Sequence, residues 1–159
     1  MKPDFEGLLR VLDSGGMDFV LVGGYSAMLH GSSLMTRDID VVCPMSLESV
    51  GRLFAILEPF HPHHRMDPSR RSLTKSDCER QWSNLYLGTD LGVLDCLGEV
   101  KGIGDFEACL ARSIEIDLGD FTVRGLSLEA LIEAKRAMGR PRDLHTAEEL
   151  EMIRERRGP

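Results

Sequence analysis

Two aspartates, Asp38 and Asp40, sit in the run Arg37-Asp38-Ile39-Asp40-Val41-Val42. Side chains alternate faces along a strand, so both acids point one way while Ile39 and Val41 point the other. Carboxylates about 7 Å apart along one face of a strand do not share an apolar site comfortably; they need a cation. Upstream, Gly23-Gly24 follows the apolar run Val20-Leu21-Val22 and opens a helical stretch from Tyr25 to His30. A glycine turn leading into a helix presents free backbone N–H groups to phosphate. A third acid, Asp95, stands alone in Gly92-Val93-Leu94-Asp95-Cys96-Leu97. A single acid in an apolar strand is costly unless it is paired or bound to metal. If this strand lies beside the first, three carboxylates converge and raise one another's pKa. Bound Mg²⁺ removes that penalty, because hard oxygen ligands suit it. Metal on one side and phosphate on the other point to nucleotide chemistry.

The surrounding pattern predicts the elements that would hold these groups. Phe5, Leu8, Leu9 and Leu12 have helical spacing, stopped by Ser14-Gly15-Gly16. A first strand covers 19–22, a short helix 24–30 and a second strand 38–42. Ser46 is a helix N-cap ahead of Leu47, Val50, Leu53, Phe54 and Leu57, and Pro59 ends that helix. Strands at 82–87 and 91–97 are joined by Gly88-Thr89-Asp90, and strands at 113–118 and 121–126 by Gly119-Asp120. A short helix is expected over 105–112, one from Ser127 to Met138, and a charged one over 142–157 with a frayed end. The order implies an α/β (α+β) architecture: a mixed central sheet with helices mainly on one face and two C-terminal helices.

A length of 159 residues with 42 % hydrophobic and 28 % charged side chains fits one domain, 1–159, with a real core. No apolar run approaches the roughly 20 residues of a membrane span. The acid-bearing start Met1-Lys2-Pro3-Asp4-Phe5-Glu6 does not read as a signal peptide, so the default address is cytoplasmic. Cys43, Cys78, Cys96 and Cys109 form no C-x-x-C pair, which argues against zinc; they are expected as reduced thiols, three of them packed as small hydrophobes. A net charge of −7 opposes bulk DNA binding but leaves room for one local basic groove.

Residues 60–81 differ from the rest. His61-Pro62-His63-His64-Arg65 and Pro68-Ser69-Arg70-Arg71-Ser72 combine positive charge with little apolar content. They are expected as a flexible basic loop, either a mobile surface segment or a flap that orders on a polyanionic substrate. Other residues carry open alternatives. Arg37 reaches phosphate, pairs with Asp38 or faces solvent. His30 is expected as a packed or capping residue before a base, Tyr25 as core packing before a stacking platform. Arg142 and Asp143 are expected as a local ion pair capping the last helix.

The ordered set of motifs resembles the DNA polymerase β-type nucleotidyltransferase superfamily. More narrowly, it is similar to the small bacterial nucleotidyltransferases related to AbiEii-type toxins. The residues that carry the resemblance are Gly23-Gly24, Ala27, His30-Gly31, Thr36-Arg37-Asp38-Ile39-Asp40 and Leu94-Asp95-Cys96. The segments 126–135 and 139–144 look like the closing motif, with Arg142 where that group usually has Lys. The likeness spans about residues 19 to 150 and weakens over 60–81. It implies the nucleotidyltransferase fold, with Asp38, Asp40 and Asp95 as catalytic ligands of two Mg²⁺ ions (Mn²⁺ as an alternative). Gly23 and Gly24 would seat the β- and γ-phosphates. Ser26 would add a hydroxyl, although the commoner Gly-Ser turn has its serine directly after the first glycine. Lys135 would meet triphosphate as a point cation. The reaction would move an NMP from an NTP to a hydroxyl of a protein or tRNA, releasing pyrophosphate, in a toxin–antitoxin or defence system with a cognate partner. Two rivals stand beside it. One is an antibiotic (aminoglycoside or lincosamide) nucleotidyltransferase, for which Glu79, Asp90 and Glu99 would matter. The other is a non-catalytic nucleotide- or partner-binding module of the same fold.

Overall fold

The structure, a computed structural model, describes residues 2–158. Helix α1 (Phe5–Ser14) starts where the Asp4 carboxylate accepts from the Gly7 N–H. It is followed by β1 (Val20–Val22), α2 (Gly23–Leu29), β2 (Asp38–Val42) and α3 (Leu47–Leu57), the last capped by Ser46 as its sequence predicts. The edge strand β3 (His63–His64) leads to the hairpin of β4 (Asn84–Thr89) and β5 (Gly92–Leu97). A small pair, β6 (Glu99–Val100) and β7 (Gly104–Asp105), precedes α4 (Phe106–Ala111). The hairpin of β8 (Ser113–Asp117) and β9 (Thr122–Leu126) is followed by α5 (Leu128–Met138) and α6 (Pro141–Arg157).

Seven strands form one mixed sheet in the order β3-β4-β5-β2-β1-β9-β8. Strand β2 lies at its centre, parallel to β5 and antiparallel to β1. Alternation divides the strand residues between two cores. Leu21, Ile39, Val41, Leu94 and Cys96 pack with Leu8, Leu9 and Leu12 of α1 and with Val50, Leu53 and Leu57 of α3. Val20, Val22, Val42 and Leu126 pack on the opposite face with α4, α5, α6 and Ala27 of α2. The larger share of the helices thus lies on the face that also carries the three acids.

Three details depart from the sequence reading. The β4–β5 turn is residues 90–91, because Gly88 pairs with Val93 and Thr89 with Gly92. Strand β4 begins at Asn84 because Trp82 is held elsewhere, its indole donating to the Asp77 carbonyl at 2.8 Å and its ring stacked on His64. The last helix starts at Pro141, where a missing N–H costs nothing, and runs to Arg157 instead of fraying at its end. The Arg157 guanidinium donates to the His30 carbonyl at 2.7 Å.

Residues 60–81, expected as a flexible basic loop, contain β3, a short 3-10 helix (Lys75–Glu79) and buried Leu73 and Asp77. Four donors converge on Asp77 Oδ2: the Thr74 N–H at 2.9 Å, Arg71 Nη1 at 3.0 Å, His64 Nε2 at 3.2 Å and the Thr74 hydroxyl at 3.3 Å. His64 and Arg71 of this basic segment thus serve one buried acid.

Candidate active site

Strands β2 and β5 run parallel with Asp40 directly opposite Asp95 and Asp38 opposite Val93. Pleating turns Asp38, Asp40 and Asp95 to one face, since Ile39, Val41, Leu94 and Cys96 fill the core on the other. One oxygen from each acid lies within 4.8 Å of those of the other two. Asp95 is buried, at 5 % exposure, and the other two are half-buried.

Such a cluster is electrostatically unfinished. Burial pushes the Asp40 carboxyl up to about 7, helped by the charges of Asp38 and Asp95 and opposed by those of Lys135 and Arg65. Burial also raises Asp95, against a strong counter-effect from Arg65, which bonds both its oxygens. Three convergent hard oxygen donors, one of them short of neutralising charge, fit a divalent cation such as Mg²⁺ or Mn²⁺.

Local structure explains the glycines. Gly23 has φ +74°, and a Cβ there would come within 2.2 Å of Asp40 Oδ2. Only glycine lets the start of α2 approach the acid this closely. A Cβ on Gly24 would press on Thr36 at 3.1 Å. The Thr36 hydroxyl lies 3.1 Å from the Asp38 carbonyl and 3.2 Å from Asp38 Oδ1, which fixes that acid's rotamer. Helix α2 has no side-chain N-cap, because Val22 occupies that position.

The other expected residues divide. Lys135 projects from α5 into the same cavity as Gly23 and Asp40, with Nζ 3.7 Å from Asp143 Oδ1. Asp143 is 1 % exposed. Burial alone would raise its carboxyl, but Arg140 at 2.6 Å and the Lys135 charge hold it below the usual range. The expected Arg142–Asp143 pair is therefore replaced: one helical turn places Arg140 on the acid, and Lys135 reaches it from α5. Arg37, just before β2, is exposed and lines a separate hollow with Thr36, Thr89, Asp90 and Val93. Ser26 is wholly buried, and its hydroxyl has no partner among the described residues. His30 is buried, its Nε2 2.9 Å from the Leu126 carbonyl, and Tyr25 packs edge-on against Phe5, the structural roles expected of both.

The cavity beside the acids has a volume of about 580 Å³. Leu97, Val100, Leu126, Leu131 and Met138 form its apolar wall, with Asp40, Glu99, Asp143, Lys101, Lys135 and Arg140 as charged groups. Sequence reasoning missed Arg65, Thr36 and Asp143 as partners of the functional groups. For Thr36 a signal existed: a hydroxyl two residues before a strand acid reaches that acid's own oxygens. For Arg65 no local signal existed, since it meets Asp95 across thirty positions.

No protein-family model matches the chain, and no curated protein sequence does. Solved structures do. The lincosamide antibiotic adenylyltransferase LnuA, bound to lincomycin, superposes with a TM-score of 0.62 at 16 % identity, over 94 % of this chain and 96 % of that one. TM1012 of Thermotoga maritima, a candidate nucleotidyltransferase, gives 0.58 at 18 % identity over 94 % and 93 %. ANT(2")-Ia in complex with adenylyl-2"-tobramycin gives 0.55 at 19 % identity over 94 % and 92 %. The chain has the nucleotidyltransferase fold. At these identities the likeness is one of architecture, and it covers nearly the whole of each chain. Among the described residues no helix is long and apolar enough to cross a membrane.

Proposed function

We propose that the chain transfers a nucleoside monophosphate from an NTP to an acceptor hydroxyl and releases pyrophosphate. The observation that carries this reading is the meeting of Asp38, Asp40 and Asp95 on two adjacent parallel strands beside the glycine start of α2. These acids would hold Mg²⁺, which supplies Lewis-acid stabilisation of the attacking and leaving oxygens. Gly23 and Gly24 offer backbone N–H groups to the phosphates, and Lys135, aimed by Asp143, adds a cation on the opposite wall. Thr36 keeps Asp38 oriented. The apolar wall of the cavity receives the nucleoside or the acceptor and keeps water from the phosphorus. Ser26, being buried, takes no part, and Arg37 stays outside this constellation.

A protein or tRNA hydroxyl in a toxin–antitoxin or defence setting is the acceptor this reading favours, supported by the closing motif at 139–144. A second reading rests on the cavity's own charge. Asp143 is already taken by Lys135 and Arg140, but Glu99 lines the cavity with no ion pair among the described residues, which suits a cationic antibiotic. Of the acids named for that purpose, Asp90 is bonded to His61 instead, and neither it nor Glu79 lines this cavity. Incubation with radiolabelled NTPs, once with cell lysate and once with an aminoglycoside or a lincosamide, separates the two. Label in macromolecules supports the first and label in the drug the second. No label from either, with Mg²⁺-NTP still bound, supports a non-catalytic module.

A further inference from the structure

Arg65 grips both oxygens of Asp95, with Nη2 2.5 Å from Oδ2 and Nε 3.2 Å from Oδ1. The contact is built from several sides. The Arg65 N–H donates to the Tyr86 carbonyl at 3.0 Å, and the guanidinium lies 5.5 Å from the centre of the Tyr86 ring. Tyr86 is the residue opposite Asp95 in the β4–β5 ladder. The preceding residue, His64, is fixed by Asp77 and Trp82. The Asp95 side chain is 8 % exposed and that of Arg65 27 %, so the cation lies on the open side of the acid. Its charge also reaches Asp38 and Asp40.

A metal ion among the three acids needs a lone pair of Asp95; the guanidinium fork takes one on each oxygen and sets a positive charge beside the place the ion would take. Arginine does not lose its proton in proteins, so it yields only by moving. A divalent ion entering alone would meet a fixed cation at the same carboxylate. An incoming triphosphate changes that balance, because the fork that fits a carboxylate fits a phosphate equally well. We propose that Arg65 is a resident counter-ion of Asp95 that gives up the carboxylate to the metal and takes phosphate oxygens of the nucleotide in exchange. This rests on the nucleotidyl-transfer reading above and adds a property to it: metal and nucleotide bind together, each raising the other's affinity. A protein that guards its acids this way stays folded and metal-poor until its nucleotide arrives.

The test is titration of Mn²⁺, followed by calorimetry and by the loss of the free-ion paramagnetic resonance signal. Wild type, Arg65→Gln and Arg65→Lys are each measured with and without a mixture of α,β-methylene NTPs. In wild type the nucleotides raise Mn²⁺ affinity by about tenfold or more. Arg65→Gln binds Mn²⁺ alone more tightly than wild type, by about fivefold, and loses most of the coupling. Arg65→Lys, which keeps the charge without the fork, falls between. Melting curves establish that the variants are folded; if Arg65→Gln is not, tighter binding of Mn²⁺ alone by Arg65→Lys supports the proposal and unchanged affinity overturns it. Unchanged Mn²⁺ affinity and intact coupling in folded Arg65→Gln overturn the exchange while leaving the metal site standing. Wild type that takes no Mn²⁺ with or without nucleotide defeats the nucleotidyl-transfer reading, and the exchange with it.

Discussion

Asp40 and Asp77 are aspartates of one small protein treated in opposite ways. Asp77 is 2 % exposed, and burial alone would push its carboxyl up. Hydrogen bonds from Arg71, Thr74 and His64 outweigh burial and hold it well below the usual carboxylate range. Asp40 has more exposed surface, yet its carboxyl rises to about 7, because burial there is uncompensated: no hydrogen-bond donor is aimed at it, and the charges of Asp38 and Asp95 add to the rise. A carboxylate with its partners complete supports the fold, and one left without them is poised to bind something. The difference is one of wiring: Asp40 stands among acids on a central strand, Asp77 among donors in the short 3-10 helix.

Activity separates the two kinds of acid most strongly. Asp40→Asn and Asp95→Asn each lower label transfer from NTP by more than about a hundredfold, beyond the loss typical of an outer-shell partner. Asp77→Asn, assayed where it remains folded, changes it little. Equal losses in all three would erase the distinction.

Stability inverts the order. Asp77→Ala strands Arg71 and the buried His64 and costs about 3–5 kcal/mol in urea unfolding, while metal-free Asp40→Asn is no less stable than wild type. A smaller effect is expected at Gly23→Ala. Its added methyl meets Asp40 in a left-handed backbone conformation, which costs roughly 1–3 kcal/mol and displaces the acid, so Mn²⁺ affinity falls with stability. Unaltered Mn²⁺ binding there would mean that Asp40 does not need the close approach of α2.

The smallest effect is in pH. The folded state holds the Asp40 proton up to about pH 7, whereas the ordinary value is 3.8. Between those limits the folded state binds more protons, so this group's contribution to stability falls as pH rises. Asp77 acts the other way: its contribution is complete above its ordinary value of 3.8 and is lost as pH falls below it. Asp40→Asn therefore raises the melting temperature of metal-free protein at pH 8, by roughly 2–4 °C for each kcal/mol of the penalty relieved, and leaves it unchanged near pH 4. A uniform rise at both pH values would indicate a packing effect instead.

The acids and the elements that carry them were legible because their information is local. Period-two alternation placed Asp38 and Asp40 on one face, and an acid amid Val93, Leu94 and Cys96 had to be paired or liganded. The caps at Ser46 and Ser127 likewise depend on residues three positions away. The partners of those acids were not legible. Arg65 reaches Asp95, and His64 and Arg71 reach Asp77, through the path of the chain in and after β3, and nothing in a basic, proline-bearing stretch announces which acid it will serve. Arg142 was the natural partner for Asp143 by adjacency, but neighbours along a helix point apart, and Arg140, three residues back, takes the place.

The central claim is that Asp38, Asp40 and Asp95 hold divalent metal for nucleotide chemistry. It is tested most directly by crystals grown with Mn²⁺ and α,β-methylene NTPs, with anomalous scattering measured at the manganese edge. A manganese peak bonded to oxygens of all three aspartates and to phosphate is expected, with Arg65 moved from Asp95 onto the nucleotide. Nucleotide bound elsewhere, or the three acids without manganese and Arg65 still on Asp95, would contradict it.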